Sequence, residues 1–175
     1  MDHGRRQLTR RGLAAVVGLA LAGGLSCSSA RRADRFGQTF DSAEALAGAV
    51  LDALARRDLE RLEALPLTEV EFREEVFPEM PAGGHIPSEY AWNDLHQKSR
   101  SQLHANLARY GGRELTLERV LYEKGTTAYK TFVVHRKPTL VVRDRESGAR
   151  IRLALLGSVL VQAGRYKLFS YVADR

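Results

Sequence analysis

Four groups of side chains have types and spacings that could do chemistry. Cys27, the single cysteine of the 175-residue chain, ends an apolar run and is followed by Ser28-Ser29-Ala30. A lone thiol cannot close an intrachain disulfide, but at this place it could accept a lipid. Glu69, Glu71, Glu74 and Glu75 fall within one stretch. They can be read as paired carboxylates for acid–base or metal chemistry, or as a solvated helix face with acids near the positive N-terminus. His96, Arg100 and His104 lie four apart and so share one helix face. The two histidines would stand about 12 Å apart along the axis, too far to ligate one metal together. Arg143, Arg145, Arg150 and Arg152 flank a hairpin, with His135, Arg136 and Lys137 on the strand before it. That cluster is a candidate anion or headgroup site, or a set of exposed charges interleaved with Asp144 and Glu146 that blunt edge pairing. No nucleophile–base pair, phosphate-binding glycine loop or metal-ligand spacing stands out, so no catalytic residue, metal or cofactor is assigned.

Charge narrows the choice of partner. The chain carries +6, from 27 basic and 21 acidic residues. Removing Arg5, Arg6, Arg10, Arg11 and Asp2 from those totals leaves 23 basic and 20 acidic, a net of only +3. That mild excess, without interleaved aromatics, argues against a nucleic-acid surface.

Those arginines precede Gly12 to Leu25, 14 residues without charge, and then Ser26-Cys27-Ser28-Ser29-Ala30. Basic region, short apolar region and small-residue zone are the order of a secretory signal, and the run is short of the roughly 20 residues that span a bilayer. With the cysteine at its end, the leader resembles that of bacterial lipoproteins, although Leu25 stands one place nearer the cysteine than in the usual pattern. The resemblance implies cleavage before Cys27, lipid on that residue, and residence on the periplasmic side of the outer membrane or cell envelope. The other reading is cleavage after Ala30, which discards Cys27 and leaves a secreted protein. Thr9-Arg10-Arg11 also resembles a twin-arginine export signal. Residues 28–40 read as a flexible tether and 41–175 as one domain.

Within that domain the periodicity is helical first and strand-like afterwards. Asp41 and Glu44 have capping spacing before a helix over 42–57, with Asp58 capping a continuation that Pro66 ends. Thr68 and Glu71 repeat the capping-box spacing before a helix over 69–77. A loop rich in proline and glycine follows, and the longest helix, 88–110, closes on Gly111-Gly112. From Glu114 onward four strand segments are expected, over 115–123, 127–143, 149–161 and 166–172, with Pro138 forcing a bend or bulge in the second.

The third strand is apolar on both faces, more than one helical layer covers. Leu156, Leu160, Leu168 and Tyr171 therefore mark a surface for a protein partner or a second copy, beside Arg143, Arg145, Arg150 and Arg152. The expected fold is α+β, with three N-terminal helices on one curved four-stranded antiparallel sheet. This element order over 41–172 is similar to that of cystatin-like and ketosteroid-isomerase-like cone domains. Because no catalytic constellation is present, the first reading is a non-enzymatic envelope protein whose curved sheet binds a partner or a small apolar ligand. The ketosteroid-isomerase-like resemblance implies the other, a pocket enzyme for a small apolar molecule, with Tyr90, Tyr110, Tyr122, Tyr129 or Tyr166 as candidate lining. Mass spectrometry of the N-terminus of protein from its native envelope checks the leader: the expected mature chain begins at acylated Cys27, and an unmodified chain beginning at Arg31 removes the lipoprotein reading.

Overall fold

A computed structural model describes residues 35–81 and 85–174; the leader and Cys27 lie outside the described residues. Helix α1 (Ala43–Ala55) starts at Ser42, whose extended backbone lets its Oγ accept from Ala45 N at 3.0 Å. The cap is thus one residue later than the acidic pair suggests. Asp58 caps α2 (Leu59–Ala64) through Arg61 N. Thr68 and Glu71 form the complete reciprocal capping box of α3 (Glu69–Glu71). The helix then widens into a π-helical turn, Phe72–Val76, and a 3-10 turn, Phe77–Glu79. The wide turn places Phe77 against Phe72, with ring centroids 5.7 Å apart, so that Phe72, Val76 and Phe77 all point inward. Helix α4 (Ser88–Tyr110) ends as its glycines predict, with Gly112 in the left-handed region at φ +86°.

The strands are β1 (Leu115–Leu121), β2 (Thr126–Ala128), β3 (Val133–Arg136), β4 (Thr139–Asp144), β5 (Arg150–Leu153), β6 (Leu156–Gln162) and β7 (Arg165–Tyr171). The fold is α+β, but the single four-stranded sheet expected from the sequence is two antiparallel sheets, ordered β1-β4-β5 and β2-β3-β6-β7. The physical reason lies in two breaks. Pro138 has no N–H for a ladder, and Lys137 before it adopts φ +42°, so β3 and β4 part there. Opposite, Ala154 and Leu155 leave the ladder; Ala154 N donates to Asp174 Oδ1 at 2.9 Å, and Leu155 O accepts from Val172 N at 3.0 Å. One bond, Lys137 N to Gly157 O at 2.9 Å, crosses the seam. Gly157 sits at a bulge where a Cβ would fall 2.6 Å from Ser170 Oγ and 2.9 Å from Tyr171 O, so no other residue fits that close approach.

Two apolar clusters result. The main one joins Leu46, Val50 and Leu54 of α1, Leu62, Leu103, Leu140, Val142, Leu153, Val159 and Leu168. The second joins Phe36, Leu67, Phe72, Val76, Phe77, Trp92, Phe132, Val134 and Leu160 on the opposite face of β6 and β7. The first half of α4 serves the second cluster through Trp92, and its second half serves the main one through Leu103 and Tyr110. Phe36 is buried, so the described end of the expected tether belongs to the folded body. The outer edge of β7 is closed by Phe40, which exchanges two hydrogen bonds with Tyr166, and by Leu67 N donating to Leu168 O at 2.9 Å.

Polar contacts fasten the C-terminal segment to α4. Asn106 Nδ2 donates to Val172 O at 2.8 Å, Ala173 N donates to Gln102 Oε1 at 2.9 Å, and Tyr110 O–H donates to Asp174. Burial and that carboxylate push the Tyr110 phenol up to about 12. At the other end of β4, Asp144 accepts from Arg113 Nη2 at 2.8 Å, Ser147 Oγ at 2.9 Å and Glu146 N at 3.2 Å, joining the β4–β5 turn to the end of α4. The Arg113 bond, followed by that of Ser147, holds the Asp144 carboxyl below its ordinary value. A folded-state value below the unfolded one gives stability that is present above about pH 4 and lost as pH falls through the folded value. Asp144→Asn is therefore expected to lower the midpoint of thermal unfolding at pH 7, with the gap from wild type narrowing below about pH 4; a gap independent of pH would contradict the assignment.

Candidate functional site

On α4, Trp92, Leu95, His96, Ser99 and Leu103 recur at intervals of three and four and so form one stripe. The stripe faces the end of α2 at Glu63 and Ala64, the extended link Pro66-Leu67-Thr68, and Phe169 and Tyr171 of β7. Pro66 terminates α2 and forces that extended link, which then bonds to the edge of β7 at Leu168. Between these walls lies a cleft of about 180 Å³. Its floor is apolar and its rim polar, the usual character of a small-molecule site. An apolar cavity of about 150 Å³ is known to take up benzene, so the space suits one ring or a short branched chain.

The polar groups are arranged around this apolar space. Ser99 Oγ accepts from Tyr171 N at 3.0 Å, and Tyr171 O–H donates to Leu62 O at 2.8 Å. Burial raises the Tyr171 phenol above its ordinary value, so it remains a fixed donor that locks β7 to α2. At the rim Arg100 Nε donates to Glu63 Oε1 at 2.9 Å, and the His96 ring stacks on Trp92 with centroids 5.2 Å apart and planes 16° apart. Trp92 is the chain's only tryptophan, so its emission reports directly on the cleft.

One wall is held by a buried ion pair. Glu71, 6% exposed, receives Thr68 N at 2.7 Å and Gly37 N in a short contact, and Lys167 Nζ stands 3.4 Å from its Oε1. Lys167 is 1% exposed, and burial lowers its pKa more than the attraction of Glu71 raises it. Neither residue lines the cleft; the pair positions Thr68, which does.

The residues singled out from the sequence fall elsewhere. Leu156, Leu160, Leu168 and Tyr171 are all buried within the chain. The second greasy face of the sheet is real, but Phe36, Phe72, Phe77 and Trp92 of the same chain cover it, so the surface expected to await a partner is internal. The four arginines are exposed and ion-paired. Arg143 and Arg150 meet Glu118 at 2.8 and 2.6 Å, Arg145 meets Glu114 at 3.0 Å, and Arg152 meets Glu123 at 2.5 Å. Glu118 of β1, with Glu114 just before it and Glu123 just after, pairs each of the four arginines, which leaves little field for an anion. The five candidate tyrosines do not share a pocket: Tyr90 is exposed, Tyr110 bonds Asp174, Tyr122 packs on His135, Tyr129 stacks on Phe132, and Tyr166 pairs with Phe40. Of the four glutamates, Glu69 and Glu75 pair with Arg73 and Arg35, whereas Glu71 turns inward, against the solvated-face reading. Among the described residues no group of three or more His, Cys, Asp or Glu side chains could hold a metal.

Sequence reasoning missed Lys167 and the cleft. The signal for Lys167 was a lone lysine sharing a strand face with Phe169, together with a capping-box glutamate whose carboxylate must fold back toward backbone. The cleft left no signal, because its walls come from three separate segments of the chain. No family model, curated protein or solved structure matches this chain.

The buried pair is not symmetric, and the two halves are expected to respond differently to substitution. Glu71→Leu strands a buried ammonium and is expected to cost about 3–5 kcal/mol. Lys167→Met leaves the carboxylate with two backbone donors, and a smaller loss of about 1–3 kcal/mol is expected. Denaturant unfolding of both variants measures the order, and equal or reversed losses would contradict it.

Proposed function

We propose that the protein is an exported envelope protein, lipid-anchored through Cys27, whose folded domain is a non-enzymatic binding module that takes a small apolar group into the cleft between α2, α4 and β7. The observation that carries the binding reading is the cleft itself, a mostly apolar floor with its charged groups at the exposed edge, built over the sole tryptophan. The export and anchoring half rests on the leader sequence. It is separate from the cleft: loss of one reading leaves the other standing.

The same reading takes the domain as a cone of the cystatin-like or ketosteroid-isomerase-like kind. Support comes from the paired breaks at Lys137-Pro138 and Ala154-Leu155, which bend two adjacent long strands at one seam, and from the long α4 packed against β7. An enzyme of the second kind would work inside the cone. There Leu46, Leu103, Leu140, Leu153, Val159 and Leu168 occupy the space, which favours the binding module and moves the ligand to the cleft outside that core.

Titration with benzyl alcohol, followed by Trp92 emission, tests the reading. A saturable change is expected in the full chain. Ala64→Phe, which narrows the mouth from an exposed position on α2, is expected to weaken it about tenfold or more. The same response in both proteins, or none in either, would refute binding in the cleft.

A further inference from the structure

Taking the cleft as a binding site, we infer that its ligand is a small carboxylic acid with a single-ring or short branched apolar tail. The tail lies between Trp92, Leu95, Leu103 and Phe169, and the carboxylate is held at the mouth by His96, Ser99 and Arg100.

The placement of donors and acceptors leads to this class. His96 stands three and four residues before Ser99 and Arg100 on α4, so it neighbours each of them, with Cβ atoms about 5–6 Å apart; Ser99 lies on the buried side of His96 and Arg100 on the exposed side. All three line the cleft. Each has donor capacity left over. Ser99 is buried and accepts from Tyr171 N, and its own O–H meets no acceptor among the described residues. Arg100 gives its Nε to Glu63, leaving the terminal N–H groups of a guanidinium that carries five in all. The His96 ring nitrogens have no hydrogen-bond partner among the described residues; the ring only stacks on Trp92. Acceptors at the mouth are fewer: Glu63 receives Arg100 on Oε1 and keeps Oε2, and Thr68 Oγ1 receives Glu71 N at 3.2 Å. A ligand that brings acceptors meets three side chains with donors to spare, whereas one that brings an ammonium meets a single carboxylate that is already paired with Arg100.

Solvation points the same way. His96, Arg100 and Glu63 are exposed, so a carboxylate among them keeps part of its hydration while its tail leaves water. The volume of about 180 Å³ sets the tail at one ring or a few branched carbons and excludes a long acyl chain. Bidentate capture by the free edge of Arg100 would add geometric selection for a planar carboxylate.

Two probes with the same tail separate this inference from the reading on which it rests. The full chain is titrated with 3-phenylpropionate and with 3-phenylpropan-1-ol at fixed pH and salt, following Trp92 emission. The acid is expected to bind about tenfold more tightly or better, and Arg100→Gln is expected to bring the two affinities close to parity. The Arg100–Glu63 pair is an exposed one, so that variant is expected to fold. Equal affinities in the wild type, or an acid preference that survives Arg100→Gln, would overturn the carboxylate assignment and leave the cleft reading intact. Binding of neither probe would overturn both.

Discussion

The contact on which the second half of the structure depends is the meeting of Glu71 and Lys167. Each is a charge almost wholly removed from water, and the Lys167 ammonium has no partner but Glu71 among the described residues. The carboxylate is compensated by one cation and two backbone N–H groups from three parts of the chain: Gly37 before α1, Thr68 at the start of α3, and Lys167 on β7. Meeting that requirement brings those segments together on the face of β6 and β7 opposite the main core. The aromatic cluster of Phe72, Phe77, Trp92 and Phe169 then packs around the same place. Such a pair adds little net stability compared with apolar residues of the same shape; it restricts which arrangements are affordable.

A second constraint follows from the seam. Because β3 and β4 part at Pro138, and β5 and β6 part at Ala154-Leu155, the sheets diverge, and the main core can contact both while the second core contacts only one. Helix α4, 23 residues long, serves both cores. Where it passes from one to the other, Ser99 reaches Tyr171 N, and the cleft opens beside that point. The cleft thus opens where α4 leaves one core for the other, with the end of α2 and its proline-terminated link forming the remaining wall.

Electrostatics elsewhere is local and mostly self-cancelling. The hairpin arginines look like a basic patch when read along the chain, since Arg143, Arg145, Arg150 and Arg152 lie within ten residues. Their partners Glu114, Glu118 and Glu123 lie 25 to 32 positions earlier and arrive only because β1 pairs with β4. At that surface the ion pairs contribute little stability each, but together they remove the field that the linear cluster suggested.

The sequence by itself determined what depends on neighbours along the chain. The capping box at Thr68 and Glu71, the glycine-terminated long helix, the break at Pro138 and the alternation of strands with turns were all legible, because each follows from residues within a few positions of one another. So was the need to cover both faces of the third strand. What covers the second face was not legible: the π-helical turn that swings Phe77 inward and the burial of Phe36 depend on a surface that exists only after β6 and β7 have paired. For the same reason the tertiary structure alone decided that Lys167 is internal, that the arginines are neutralised, and that Trp92, Ser99 and Arg100 border a cavity. Apolar burial and charge pairing act through space between segments far apart in the chain, and a linear pattern states how much surface must be covered without stating by what.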